Sequence, residues 1–244
     1  MAKFAELNEI ILKHAPVAAC KNTLAAVPLR NFRRVPGPDP RVVYPAMWGD
    51  EMEVAMKTLA NWKPKTYFEW GAGGSTRWLT AFTSDTVISV DTFKAWCEKV
   101  TEDPFVDCLK KQGVFKQHCV DTGNVPIRGF GSLNGGGAEA EKLAHEFVNA
   151  IDMFNVSRYD VILVDGRFRQ GCALKALHYV DEETSIVIIH DFWSRWEKYD
   201  FLLKYYRPLG RSRTIGVLKK RPESELPPDW RNAYKKYATV RYQA

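Results

Sequence analysis

The stretch FEWGAGGSTRW, from Phe68 to Trp78, gives the strongest structural signal in this 244-residue chain. The apolar run KTYFEW (65–70) ends in Glu69 and Trp70, and three glycines follow within four residues. Glycine lets the backbone take positive φ values and approach another group closely. A helical pattern then begins, and helix N-termini carry unpaired N–H groups. The stretch therefore predicts a strand, a glycine turn and a helix that together meet a ligand.

Short apolar runs alternate with helical patterns along the rest of the chain. Further strands are predicted at 86–91, 114–121, 159–166, 185–191 and 212–220. Continuous apolar strands are typical of a parallel sheet that helices cover on both faces. The acids that end these runs are Glu69, Asp91, Asp121, Asp165 and Asp191. Ligands of open α/β sheets bind beyond the carboxyl ends of the strands, so these acids predict a polar ligand along that edge.

The glycine turn does not match the common phosphate-binding motifs. It lacks the lysine of GxxxxGK[ST], and its third glycine comes too early for GxGxxG. The sequence E-x-G-x-G-G-S-T instead resembles motif I of the class I S-adenosylmethionine-dependent methyltransferases. Asp91, 20 residues past Gly71, matches the acid that binds the cofactor ribose in that family. The later segments VDGRFR (164–169) and HD (190–191) resemble a branch of methyltransferase-like proteins, and the resemblance extends from Tyr67 to Lys219.

The resemblance implies a Rossmann-like α/β methyltransferase fold, a mostly parallel seven-stranded sheet with helices on both faces. The implied strand order is 3-2-1-4-5-7-6, with the last strand antiparallel. The implied cofactor is S-adenosylmethionine, whose two vicinal ribose hydroxyls are good donors to one carboxylate. Glu69 would orient the turn or accept from the ammonium group of the cofactor. The expected cofactor-binding residues are Glu69, Gly71, Ala72, Gly73, Ser75, Thr76, Asp91, Thr92 and Asp121.

Two clusters supply the candidate catalytic residues, which are Asp165, Arg167, His190 and Asp191. In metal-dependent O-methyltransferases, carboxylates at the two corresponding places hold Mg²⁺. Here a His-Asp pair stands at the second place, and Mg²⁺ prefers oxygen ligands, so a divalent metal is not favoured. Without a metal, Asp165 or His190 could act as the base, and Asp191 could orient the imidazole. Arg167 and Arg169 either neutralise these acids or clamp an anionic group of the substrate.

The chain divides into three predicted parts. Residues 1–62 form an N-terminal helical accessory segment, 63–221 the S-adenosylmethionine-binding methyltransferase domain, and 222–244 a C-terminal tail. Asp50 is expected to be the N-cap of a helix over 50–62. The five cysteines are odd in number and contain no CxxC pair, which indicates reduced, partly buried thiols rather than a disulfide framework or a zinc site.

Composition narrows the function further. No apolar run approaches the ~20 residues of a membrane span, and the N-terminus lacks the long apolar region of a signal peptide. We therefore expect a cytoplasmic enzyme that methylates an N or O atom of a small polar acceptor. The net charge of +6 comes without a nucleic-acid motif, so nucleic acid is an unlikely partner, whereas a homodimer is compatible with the sequence. The alternatives are a cofactor-binding or nucleic-acid-binding module without activity, or another nucleotide-dependent enzyme on the same fold.

Overall fold

The computed structural model describes residues 2–27, 29, 39–121, 127–128, 132–133 and 138–239. The helices are α1 (Ala2–His14), α2 (Lys21–Ala26), α3 (Gly49–Trp62), α4 (Thr76–Leu79), α5 (Lys94–Thr101), α6 (Pro104–Lys111), α7 (Ala138–Asn149), α8 (Arg169–Ala176), α9 (Trp196–Tyr199) and α10 (Trp230–Tyr237). The strands are β1 (Thr66–Trp70), β2 (Thr86–Asp91), β3 (Phe115–Cys119), β4 (Ile127–Arg128), β5 (Ser132–Leu133), β6 (Val161–Val164), β7 (Ile186–Ile189), β8 (Tyr206–Ser212) and β9 (Ile215–Lys220).

Seven of these strands form one sheet in the order β3-β2-β1-β6-β7-β9-β8. The neighbours of β1 are β2 and β6, both parallel to it, and β9 runs antiparallel to β7 and β8. When only the strands of this sheet are numbered, the order is 3-2-1-4-5-7-6, so the predicted fold class and topology are confirmed. The short pair β4 and β5 forms a separate two-stranded sheet.

The last part of the sheet differs from the sequence prediction. The sequence RWEKYDFLLKYY (195–206) has the spacing of one helix, but α9 covers four residues and a 3₁₀ helix follows at Asp200–Lys204. Strand β8 then begins at Tyr206, where no strand was predicted. Its sequence YRPLGRS has no apolar alternation because it is an exposed edge strand, and proline is tolerated at such an edge. A register shift lies between Pro208 and Gly210.

Both faces of the sheet are buried, since successive residues of a strand point to opposite faces. On β1, Phe68 lies in one core cluster together with α7 and α8, and Tyr67 lies in the other. The second cluster includes apolar side chains of α1 and α3, such as Leu7 and Met56. On the first face α10 packs through Trp230. The described parts of the predicted terminal segments thus share the core of the central domain, while residues 1, 28, 30–38 and 240–244 lie outside the described residues.

Helix α3 starts earlier than predicted. Its N-cap is Trp48 rather than Asp50, which lies in the first turn. The carboxylate of Glu51 accepts a hydrogen bond from the Trp48 N–H at 2.7 Å. A glutamate at the third helical position commonly makes this contact, so it fixes where the helix begins.

The prediction of five reduced thiols is wrong. Cys20 forms a disulfide with Cys108, Cys97 forms one with Cys119, and Cys172 is free and buried. The paired cysteines lie 88 and 22 residues apart in sequence and meet only in the folded chain. Short-range spacing carries no signal of such pairs, which is why the sequence did not reveal them.

We expect the longer disulfide loop to stabilise the protein more. Replacing Cys20 and Cys108 by serine should lower the free energy of unfolding by about 4–5 kcal/mol, and replacing Cys97 and Cys119 by about 3 kcal/mol, because loop-closure entropy grows with loop length. Urea unfolding without a reductant measures both values. Thiol titration of the denatured wild type should find only Cys172 reactive. A larger loss from the shorter loop would contradict this entropic explanation.

Candidate active site

The glycine turn joins two strands of the sheet through their backbones. Gly71 has a φ of +103°, and a Cβ atom at this position would lie 2.3 Å from the nitrogen of Gly166. The N–H groups of Asp165 and Gly166 both donate to the carbonyl of Trp70, at 2.9 and 2.7 Å. Only glycine fits so close a contact at this backbone angle. Gly71 therefore sets the distance between the ends of β1 and β6.

Glu69 holds the glycine turn in place through buried hydrogen bonds. Its Oε1 accepts hydrogen bonds from the hydroxyls of Thr76 and Ser89, both at 2.6 Å, and its Oε2 accepts from Tyr67 at 3.1 Å. The Thr76 hydroxyl in turn accepts from the Gly73 N–H at 2.9 Å. Burial raises the pKa of Glu69 to about 7, although these hydrogen bonds oppose the rise. Of the two roles expected for Glu69, its contacts correspond to orienting the turn.

Asp91 ends β2 beside the turn. Its Oδ1 accepts from the N–H groups of Thr92 and Phe93, at 2.7 and 2.8 Å, and the Ala72 N–H also hydrogen-bonds to the carboxylate. Burial raises the pKa of Asp91 to about 6 against the effect of these donors. The carboxylate is thus held at a fixed position next to the glycine turn. Asp121 lies exposed just beyond β3.

Other parts of the chain cover the remaining glycines of the turn. A Cβ atom on Gly74 would lie 2.0 Å from the carbonyl oxygen of Tyr44, and one on Gly73 would lie 3.0 Å from the indole nitrogen of Trp96. Ser75 and Thr76, which open α4, are buried. The small residues of this turn therefore serve close packing within the protein as well as any ligand.

A charged cluster lies across the ends of β6 and β7. The Nδ1 of His190 is 2.7 Å from the Oδ1 of Asp165. The guanidinium of Arg169 donates to the backbone carbonyls of Asp165, Gly166 and His190 at 2.7–3.0 Å. It also forms ion pairs with the carboxylates of Asp165 and Asp191, at 3.1 and 2.8 Å. Arg169 thus holds the two strand ends and their acids together.

Glu51 joins this cluster from α3. It is completely buried, and its Oε1 accepts from both the N–H and the hydroxyl of Thr214. Its Oε2, which caps α3, lies 3.8 Å from the Nε2 of His190. The sequence prediction missed Glu51, because 114 residues separate it from Asp165 and its helix was assigned to an accessory segment. Its only local signal was that of a capping residue.

These contacts keep His190 positively charged. Burial alone would lower the pKa of His190, but the charge and hydrogen bond of Asp165, together with Glu51 and Asp191, raise it to about 10. Burial alone would raise the pKa of Asp165, and the pairing with His190 lowers it instead. The contacts of Glu51 with His190, Thr214 and Trp48 likewise overcome burial and lower the pKa of Glu51 to about 2.

Asp191 has an unusual backbone conformation, with a φ of +61°. Non-glycine residues rarely adopt this region, although aspartate does so more often than most. The conformation turns its carboxylate toward the cluster, where Oδ2 pairs with Arg169 at 2.8 Å and with Arg195 at 3.1 Å. Arg167 is half-buried nearby, and burial together with the charges of Arg169 and Arg195 lowers its pKa.

The structure thus places Asp165, His190 and Asp191 together as predicted, with Arg167 beside them. Arg169 pairs with two of these acids, which corresponds to the first of the two roles expected for it, and Glu51 is the residue that the sequence prediction missed. Among the described residues, no group of three or more histidines, cysteines and acids is arranged to hold a metal ion. No helix in the described part of the chain is long and apolar enough to cross a membrane.

The residues at the turn fit the ribose end of S-adenosylmethionine. Asp91 is a carboxylate fixed by three backbone N–H groups, and the residue is 8% exposed. The Gly71–Ala72–Gly73 backbone beside it carries at most a methyl group as side chain. Two vicinal hydroxyls can both donate to one such carboxylate.

Comparison of whole structures supports the fold. A methyltransferase-like protein from Silicibacter pomeroyi is 21% identical, matches 82% of this chain and 99% of its own, and superposes with a TM-score of 0.64. An O-methyltransferase from Bacillus cereus, solved in complex with SAH (S-adenosylhomocysteine), is 10% identical and matches 90% of this chain and 91% of its own, with a TM-score of 0.50. No family model and no curated protein matches the sequence. The chain has the fold of the class I methyltransferases.

Gly71→Ala should destabilise the protein severely. The added Cβ would lie less than 3 Å from the backbone of Asp165 and Gly166 at a positive φ. Gly113→Ala is the matched control, because Gly113 also has a positive φ, +73°, but nothing lies within 4 Å of its Cβ position. We expect the control to cost about 1 kcal/mol in unfolding free energy and Gly71→Ala to cost at least about 2 kcal/mol more. Equal losses in urea unfolding would show that the close contact contributes nothing.

His190 should remain protonated across neutral pH. The folded pKa of about 10 lies above the reference value of 6.5, so the stabilisation is complete below pH 6.5 and is lost as pH rises toward 10. The unfolding free energy of the wild type should therefore fall over this range more steeply than that of His190→Gln. Ring-¹⁵N NMR provides the direct check, with His178 as internal comparison because burial lowers its pKa. A His190 ring that titrates near pH 6.5 would contradict the proposed network.

Proposed function

We propose that this chain is an S-adenosylmethionine-dependent methyltransferase that acts on an oxygen or nitrogen atom of a small polar acceptor. The main support is the contact of Gly71 with Asp165 and Gly166, which puts the Asp91 carboxylate and the charged cluster on one edge of the sheet. A cofactor and an acceptor could therefore bind side by side. The fold shared with an O-methyltransferase that was solved with SAH agrees with this proposal.

In this proposal Asp91 accepts hydrogen bonds from the ribose hydroxyls, and the backbone from Gly71 to Gly73 lies along the cofactor. Thr92 and Asp121 lie beyond the ends of β2 and β3 and complete that side of the site. Glu69 and Thr76 hold the turn through their hydrogen bonds, and Ser75 is the buried residue at the start of α4 beside it. When bound, S-adenosylmethionine supplies a methyl group on a sulfonium, which is already a strong electrophile.

The protein then has to orient the acceptor, and orientation contributes much of the acceleration in such reactions. Asp165, His190 and Asp191 are each 12–22% exposed in their side chains, so they can contact an acceptor while the protein fixes their positions. His190 does not suit the role of base that the sequence suggested, because its pKa of about 10 keeps it protonated. Arg167 balances the charges of Asp91 and Asp165.

The segment 63–221 remains our proposal for the methyltransferase domain because it contains all the predicted site residues, and Glu51 of the N-terminal segment also contacts His190. The two disulfides favour an oxidising compartment over the cytoplasm that the sequence suggested, because cytosolic thiols are usually kept reduced.

Asp91→Ala should weaken cofactor binding. Removing the carboxylate should cost about 1–3 kcal/mol, because hydrogen bonds to a charged group are lost. Asp85→Ala is the matched control, since Asp85 is exposed next to the opposite end of the same strand. Calorimetric titration with S-adenosylmethionine and S-adenosylhomocysteine compares the three proteins. Equal affinity in the wild type and Asp91→Ala would remove the ribose role, and no binding to the wild type would favour a different nucleotide enzyme or a binding module.

A further inference from the structure

The side chains of His190, Glu51 and Asp191 lie around a small space at the end of β7, which we call the gap. The Nε2 atom of His190 lies 3.8 Å from the Oε2 of Glu51 and 3.9 Å from the Oδ1 of Asp191. Both distances exceed the length of a hydrogen bond. The Nδ1 of the same ring is satisfied by Asp165 at 2.7 Å. The Nε2 side of the ring therefore faces two carboxylates without a direct hydrogen bond to either.

The other contacts of each atom around the gap determine whether that atom can donate or accept a hydrogen bond. His190 faces Glu51 from α3, Asp165 from the end of β6, and Asp191 from its own segment, and the cation of Arg169 lies beyond these acids. Three carboxylates around one imidazole hold it in the charged form, so Nε2 is a donor. The Oε2 of Glu51 already accepts from Trp48.

The Oδ1 of Asp191 is the acceptor that faces this donor. The Arg169 and Arg195 guanidiniums pair with Oδ2, and no hydrogen bond to Oδ1 is formed within the described part of the chain. The Asp191 side chain is 22% exposed and that of His190 is 12% exposed, so both are partly open to solvent. The gap thus combines one donor and one acceptor, 3.9 Å apart, at the end of β7.

We propose that this gap is the binding site for a hydroxyl group of the acceptor, and hence that the enzyme methylates oxygen in an alcohol or phenol. The inference rests on the proposed function and selects one of its two acceptor atoms. A hydroxyl accepts from the Nε2–H of His190 and donates to the Oδ1 of Asp191. Its oxygen has two lone pairs, so one remains for the attack while the other is bound to His190.

Other acceptor groups fit the gap less well. A neutral amine has a single lone pair, and the hydrogen bond from His190 would occupy the electrons needed for attack. An ammonium group cannot accept from His190 at all. A carboxylate can accept from His190, but it would meet the negative Oδ1 of Asp191 without a proton to share.

The methyl transfer balances with the groups present. The acceptor oxygen forms a bond to the methyl carbon as the bond from that carbon to the sulfonium sulfur breaks, which leaves a neutral thioether. The hydroxyl proton passes to the Oδ1 of Asp191, and the resulting carboxylic acid releases it to solvent. Asp191 is then the base, and His190 is a donor that holds the oxygen in place.

Phenol and aniline form a matched pair of probes for this site, since both are small, planar and neutral at pH 7. We would follow the ring-¹⁵N resonances of His190 while adding each probe to the protein, with and without S-adenosylhomocysteine. Phenol should shift the Nε2 resonance in a saturable way and bind at least tenfold more tightly than aniline. Aniline binding as tightly as phenol, or an Nε2 resonance that phenol leaves unmoved, would overturn the proposal.

Asp191→Asn tests the acceptor atom without changing the backbone, because asparagine also tolerates a positive φ. This variant should bind phenol at least tenfold more weakly, and its preference for phenol over aniline should be smaller than that of the wild type. Its far-UV circular dichroism spectrum should stay unchanged. Asp200→Asn is the control, since Asp200 is exposed on the following segment and its carboxylate accepts a hydrogen bond from the N–H of the adjacent Phe201. Unchanged phenol affinity in Asp191→Asn would show that Asp191 does not line the site.

A label in the methyl group separates this inference from the proposed function. With S-[methyl-¹³C]adenosylmethionine, a methyl carbon on oxygen and one on nitrogen have different chemical shifts. If phenol binds at His190 but the cofactor does not bind, the proposed function fails and the hydroxyl site remains. If the label reaches the nitrogen of aniline while phenol leaves His190 unmoved, the protein is a methyltransferase and the hydroxyl site is wrong.

Discussion

The contact between Gly71 and the backbone of Asp165 and Gly166 is the constraint on which the site depends. The Trp70 carbonyl accepts from both N–H groups of this pair, and the positive φ of Gly71 lets the chain turn away immediately afterwards. A side chain at Gly71 would separate β1 from β6 at the carboxyl edge. The Asp91 carboxylate on one side and the charged cluster on the other would then lose their fixed spacing.

The charged cluster depends on a balance of burial and pairing. Asp165, Asp191 and Glu51 surround His190, and Arg169 links two of these acids to three backbone carbonyls. Removing one partner from such a network leaves an uncompensated charge where little water can reach it, and this lowers the free energy of unfolding. Such pairing holds the side chains in fixed positions, which would suit the role of orienting an acceptor that we propose for them. The same pairing favours His190 as a donor rather than a base in the proposed reaction.

The sequence predicted the fold well where the signal was local and strong. The apolar strands and the acids at their ends predicted a parallel sheet and the grouping of Asp165, His190 and Asp191. The order of the strands came from the resemblance of the glycine turn and the later segments to the class I methyltransferases. The edge strand β8 was missed because its exposed residues show no apolar alternation, and Asp50 was taken as a cap where Glu51 reaches back to Trp48. The disulfides and the position of Glu51 in the site depend on contacts between distant parts of the chain, and no spacing rule reports those.

We propose that one edge of the sheet holds the cofactor at Asp91 and presents its methyl group toward Asp165 and His190. A crystal structure of the protein with S-adenosylhomocysteine would show this arrangement directly. We expect both ribose hydroxyls to contact the Asp91 carboxylate and the sulfur atom to face the charged cluster. Density for the ligand elsewhere on the protein, or a ribose that does not touch Asp91, would contradict it.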